Sequence, residues 1–144
     1  MGLKSTSGRT PEQIMTGIVV EIRSGYRPAL EAAALHVEAE WKATLSTPGR
    51  GAPRRDGSLA SAPGDPPAPD TFALQRSVGH EILGDGATVK ARVGTPLDYA
   101  APLEYGTKDG KLLPRPHLRP TLLRVRDSLG RIMGAAMKLT GRTR

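Results

Sequence analysis

Three histidines, fourteen carboxylates and no cysteine are the groups from which this 144-residue chain could build chemistry. His36, His80 and His117 fall in different segments, and no spacing sets two of them toward one metal ion. His36 and Glu40 stand four apart, as neighbours on a helix would, but the second histidine of a His-Glu-x-x-His zinc motif is missing. Asp98 and Glu104 form the one carboxylate pair worth weighing for acid–base work, and no adjacent residue would drive their pKa values apart. Gly84-Asp85-Gly86 reads as a turn, not as a phosphate cradle, and neither a Gly-x-Ser-x-Gly nor a P-loop pattern occurs. The absence of cysteine excludes disulfides, thiolate metal sites and a cysteine nucleophile. The expectation is a protein that is not an enzyme, with no catalytic, cofactor-binding or metal-binding residues and no small-molecule substrate.

Composition narrows the class. Hydrophobic residues make up 38%, aromatic residues 3%, and Gly and Pro number 17 and 13. A modest core of Leu, Val, Ile and Ala, with long irregular segments attached, is what such a chain can bury. Residues 1 to 110 carry 12 Lys/Arg against 13 Asp/Glu, whereas residues 111 to 144 carry 9 against Asp127 alone. The whole net charge of +7 therefore belongs to the C-terminal quarter, which can face DNA, an acidic partner or solvent. Residues 1 to 10 are polar, so no leader is expected, and no apolar run approaches the ~18 residues that cross a bilayer. No membrane partner is expected.

The elements that must position these groups follow from periodicity. Thr10-Pro11-Glu12-Gln13 reads as a helix start, with a cap, a proline at the first position and a capping-box glutamine. Ile14, Ile18 and Ile22 keep helical spacing, while the β-branched run Ile18-Val19-Val20 leaves a strand open. Pro28 to Leu45 is a clear helix, with Leu30, Ala34, Val37, Trp41 and Leu45 on one face. Residues 46–70 hold six Pro and four Gly and almost no large apolar residue. They read as a flexible loop or arm. Val78, His80 and Ile82, then Val89, Ala91 and Val93, alternate on either side of Gly84-Asp85-Gly86 and predict a hairpin. Leu97 to Tyr105 could add a third extended segment, and Pro102 argues for an edge or a bend there. Pro120 opens a last helix to about Leu139, with Leu122, Val125, Leu129, Ile132, Met133 and Ala136 on its apolar face. Arg124, Arg131 and Lys138, seven apart, fall on the opposite face. Residues 140–144 are expected to be a disordered tail. The predicted fold is α+β in a single domain over 1–144. A small antiparallel sheet is flanked by an N-terminal helical region and a C-terminal amphipathic helix, with a long Pro/Gly-rich loop.

Two stretches resemble one family. The first is Leu97-Asp98-Tyr99-Ala100-Ala101-Pro102-Leu103-Glu104-Tyr105-Gly106-Thr107, followed by Pro114-Arg115-Pro116-His117-Leu118-Arg119-Pro120. The second is Ser61-Ala62-Pro63-Gly64-Asp65-Pro66-Pro67-Ala68-Pro69-Asp70-Thr71, followed by Leu74-Gln75-Arg76-Ser77-Val78. In composition, order and spacing they are similar to the signature of the neck and tail-completion proteins of HK-type long-tailed bacteriophages, a family that includes tail-terminator and minor tail subunits. Two departures stand out: Phe72 sits where the family usually has Gly, and His117 where an aromatic such as Phe is common. The resemblance implies a non-enzymatic virion protein, a homo-oligomeric ring subunit of the head-to-tail connector, present in the host cytoplasm during assembly. Its partners would be copies of itself, the adjacent connector and tail-tube proteins, and packaged DNA through non-specific contact.

On that reading the subunit interface is expected at Tyr99, Glu104, Tyr105, Gly106, Thr107, Pro114, Arg115, Pro116, Leu118, Arg119 and Pro120. Gly106 offers a positive φ for a sharp turn. Glu104 is expected to pair with an arginine of a neighbouring copy, Arg115 or Arg119 being the nearest candidates. Pro114, Pro116 and Pro120 stiffen the connection into the last helix. Arg124, Arg131 and Lys138 are the candidates for facing DNA. The competing class is a small basic nucleic-acid-binding module. The lack of an aromatic platform and of a recognised binding motif weighs against it.

Overall fold

A computed structural model describes residues 18–24, 26–85 and 88–141. Three antiparallel strands form one sheet: β1 (Ile18–Arg23), β2 (Gly79–Leu83) and β3 (Lys90–Thr95), in the order β1-β3-β2. Four helices accompany it: α1 (Arg27–Thr44), α2 (Ala73–Ser77), α3 (Ala100–Tyr105) and α4 (Leu118–Gly141). The architecture is α+β, as expected: α1 covers one face of the sheet, and α4 packs against α1. Of the ambiguous run Ile14 to Ile22, the part from Ile18 is a strand, consistent with its β-branched cluster. The helix start at Thr10 to Gln13 lies outside the described residues.

The register explains the core. Val20 and His80 both pair with Val93, and Ile22 and Ile82 both pair with Ala91. Cross-strand partners share a face, so Val20, Ile22, Ile82, Ala91 and Val93 make one apolar surface with His80 set into it. Helix α1 lays Leu30, Ala34, Val37 and Trp41 on it, all without solvent exposure. The opposite face is charged: Glu21 is paired with Arg92 and Lys90, at 3.2 and 3.5 Å. At the sheet–helix contact, the buried His80 donates through Nδ1 to the Glu38 carboxylate, which also holds Lys42 at 2.5 Å. Burial alone would raise the Glu38 pKa, but the bonds from His80 and Lys42 outweigh it and hold the carboxyl below its ordinary range.

The third strand is not the predicted one. Leu97 to Tyr105 was expected to be extended, yet Ala100–Tyr105 is helix α3, and the strand that completes the sheet is β1. Pro102 does not oppose this. It lies in the first turn, where a missing N–H breaks no intrahelical bond.

Helix α4 runs antiparallel to α1. Thr121 meets Thr44 (Oγ1–Oγ1 2.7 Å) and Ser128 meets His36 (Oγ–Nε2 2.9 Å), so advancing along one helix retreats along the other. Leu118 and Val125 are buried, and Leu122, Leu129 and Met133 pack against the core. Leu123, Met137 and Leu139 are exposed. No helix among the described residues is long and apolar enough to cross a membrane.

Residues 46–70 contain neither helix nor regular strand; they are fastened to the rest of the domain through Ser46, Ser61 and Gly64, and to themselves at several points. The segment doubles back through a single bridge, Pro53 to Leu59. The returning backbone comes so close that a Cβ at Gly49 would lie 2.1 Å from the Leu59 carbonyl oxygen. Arg50 is paired with Asp65 at 3.2 Å, and Arg54 donates to the Pro69 carbonyl at 2.8 Å.

A candidate assembly site where two signature stretches meet

The bend after α3 is built on one glycine. Gly106 has φ 76° and ψ 175°, a region that is essentially restricted to glycine. A Cβ there would also stand 2.9 Å from the Leu112 oxygen and 3.0 Å from the Pro114 ring. The loop that follows is closed by Thr107, whose N–H donates to the Leu112 carbonyl and whose hydroxyl donates to Asp109. The chain then returns along α3: the Arg115 N–H donates to the Leu103 carbonyl at 2.7 Å.

This return places Glu104 under the start of α4, and its role is not the expected one. Glu104 is 2% exposed, and its carboxylate accepts the backbone N–H groups of His117 (2.7 Å), Leu118 (2.8 Å) and Arg119 (3.0 Å). The expected ion pair with an arginine of a neighbouring copy is therefore corrected. Both carboxylate oxygens are engaged within the chain, as a helix cap delivered from a different element. Burial would raise the Glu104 pKa, yet the three backbone donors prevail and hold it below the usual carboxylate range. Hydrogen bonds to a charged acceptor contribute about 1.5–3 kcal/mol each in such settings, so this is a principal restraint on where α4 points.

His117 completes the restraint. Its ring has no solvent exposure and stacks on Trp41, with centroids 5.7 Å apart and planes 18° from parallel. Trp41 Nε1 donates to His117 Nδ1 at 2.8 Å, so Nδ1 carries no proton, and Nε2 donates to the Ala100 carbonyl at 3.1 Å. The imidazole is a neutral linker between α1, α3 and α4. Burial pushes its pKa below the ordinary histidine value, against the Ala100 bond and the Glu104 charge. It combines an aromatic packing contact with two hydrogen bonds.

Of the other expected interface residues, Tyr99 and Tyr105 are 43% and 61% exposed, and the Arg119 guanidinium lies over the Tyr105 ring at 5.7 Å. Thr107 and Pro114 are exposed, and Pro116 and Pro120 half-buried. Leu118 is buried in the core, so its place in an intersubunit surface is corrected. The basic stripe is also broken at its first member. Arg124 donates to Thr44 Oγ1 at 2.7 Å and to the Glu40 carbonyl at 3.3 Å, which ties α4 to α1 and takes it out of a free DNA-facing row. Arg131 and Lys138 remain exposed.

The two stretches that carry the family resemblance come together in space. The Gly64 N–H donates to the Pro114 carbonyl at 3.0 Å, and Arg115 Nη1 donates to the buried Ser61 hydroxyl at 2.9 Å. Between them lies a cleft of about 290 Å³, walled by residues 67–75 on one side and by Tyr99, Leu103 and Arg115 on the other. Phe72 at its rim has φ 59° and ψ 12°, the one left-handed residue other than glycine among those described. For a residue with a Cβ that conformation costs about 1–2 kcal/mol. It is also a geometry that glycine adopts without that cost.

Among the described residues no group of three or more His, Asp or Glu side chains is arranged to hold a metal ion. Comparison of the chain with protein-family models, curated proteins and solved structures found no match.

Proposed function

We propose that this chain is a structural virion protein, a ring-forming subunit of the head-to-tail connector of a long-tailed bacteriophage, without enzymatic activity. The observation that carries the reading is the convergence of the two signature stretches. Residues 61–78 and 97–120 are separate stretches of sequence, yet they are bonded through Gly64–Pro114 and Ser61–Arg115 and enclose one cleft. Signatures that meet in one place are what a shared structural role requires. The Glu104 cap and the Trp41–His117 stack fix the exit angle of α4, and closed rings demand such fixed angles because errors repeat around the axis. Exposed Tyr99 and Tyr105, with Leu123 and Met137 on α4, offer the aromatic and apolar contacts that interfaces favour.

The test is genetic and structural. Deleting the coding sequence from the genome that carries it is expected to yield filled heads and unjoined tails, restored by a copy supplied in trans. Electron microscopy of intact particles is expected to locate copies between portal and tube. Normal particles from the deletion, or turnover of a substrate by the purified chain, would refute the proposal. Steeply salt-dependent DNA retention by the free subunit on a filter would instead favour the nucleic-acid-binding class.

A further inference from the structure

The cleft between the signature stretches has two features that folding alone does not explain. Phe72 holds a left-handed backbone, yet 47% of the residue stays exposed, so its ring is kept at the rim and not in the core. Strain of this kind, when the fold gains little from it, points to a binding role. Arg115 lines the same cleft; its Nε–H is buried and has no acceptor, while its Nη1 is held by Ser61. A buried donor without a partner is costly. Nε lies on the edge of the guanidinium that binds a planar carboxylate side-on through two parallel bonds.

The rest of the cleft selects the ligand. Arg54 is also in its lining, anchored to the Pro69 carbonyl, and Asp70 is the one carboxylate there. The balance is positive by one charge, which suits a monoanion, and Asp70 disfavours a doubly charged phosphate. Pro67, Leu74 and Leu103 supply apolar wall, and the exposed rings of Phe72 and Tyr99 line it as aromatic residues line protein interfaces. A volume of about 290 Å³ lies at the small end for ligand pockets, enough for one side chain and its flanking backbone.

We propose that this cleft receives an extended, acid-bearing segment of a partner protein, with its carboxylate on Arg115 and a neighbouring apolar residue against Phe72. This rests on the reading of the chain as an assembly subunit and names the chemistry of what it grips.

The test uses the full-length, isotope-labelled chain and two pools of blocked pentapeptides, random except for a central Glu in one and a central Gln in the other. The Glu pool is expected to shift the amide resonances of Ser61, Phe72, Leu103 and Arg115 and to bind at least tenfold tighter than the Gln pool. Arg115→Gln is expected to abolish that difference. Phe72→Gly relieves the backbone, so it is expected to leave the melting temperature unchanged or higher while weakening the Glu pool at least fivefold. Equal binding of both pools, no binding, or acetate alone giving the same shifts at the same concentration overturns the proposal. A marked fall in melting temperature for Phe72→Gly assigns the ring to the fold and overturns it too. The outcome is separable from the connector reading. A subunit seen at the junction with an inert cleft refutes only the cleft, and a binding-competent chain absent from the junction refutes only the connector.

Discussion

At the scale of single residues, Glu104 and His117 set both the geometry and the acid sensitivity of the junction. Glu104→Gln keeps the shape but leaves one oxygen for three backbone donors. It is expected to cost about 2–3 kcal/mol in chemical denaturation at neutral pH. The pH dependence has two stages with defined signs. His117 has a depressed pKa when folded, so the unfolded chain takes up a proton first, and stability falls as pH drops below its ordinary value of 6.5. Glu104 is depressed from 4.5, so its contribution is complete above that pH and is lost as pH falls through the lower folded value. His117→Phe should separate the stages. It strands the Trp41 N–H and lowers stability by about 1–3 kcal/mol at pH 7.5, while flattening the loss that wild type shows just below pH 6.5. A melting-temperature series across pH for both chains checks this, and parallel curves would remove His117 from the first stage.

At the scale of elements, what the sequence discloses is what repeats locally. The α1 face of Leu30, Ala34, Val37 and Trp41 is legible from its spacing, and all four are buried. The alternation of Val78, His80 and Ile82 against Val89, Ala91 and Val93 gives the hairpin its register. Six residues are too few to display a helical period, so α3 reads as an edge strand around Pro102. The cap on α4 is less legible still. Glu104 lies thirteen to fifteen positions before the N–H groups it serves, and Trp41 lies 76 before His117. Those pairings exist only once Gly106 has turned the chain. Gly106→Ala tests that dependence. It forces a Cβ into a glycine-only backbone region against the Leu112 oxygen. The expected loss is about 2–3 kcal/mol, with faster amide exchange at His117 and Leu118. Exchange rates equal to wild type there would show that the cap does not depend on the bend.

At the scale of the whole molecule, the charge asymmetry takes on a more restricted meaning than the sequence allowed. Arg124 is held by α1, and Arg126 sits beside Asp127 at 3.4 Å, so α4 offers Arg131 and Lys138 as its exposed basic pair toward its end. Charge reversal at both is expected to reduce DNA retention at low salt with little effect on the melting temperature, because neither packs in the core. A sharp loss of stability would place them in a fold contact instead. The apolar side chains left outside, Leu123 and Met137, belong to the same helix whose angle the junction fixes. If the proposed ring assembly holds, native mass spectrometry of the chain is expected to show defined multiples of 15.3 kDa, and a monomer at every concentration would count against it.

The buried indole at position 41 also has an optical consequence. It is the sole tryptophan, and its N–H is tied to the imidazole that links three helices. Emission from the native chain should therefore be blue-shifted and should move to the red only when that linkage parts. Unlabelled protein thus carries its own gauge of junction opening, readable in a cuvette while the remainder of the domain is followed by circular dichroism.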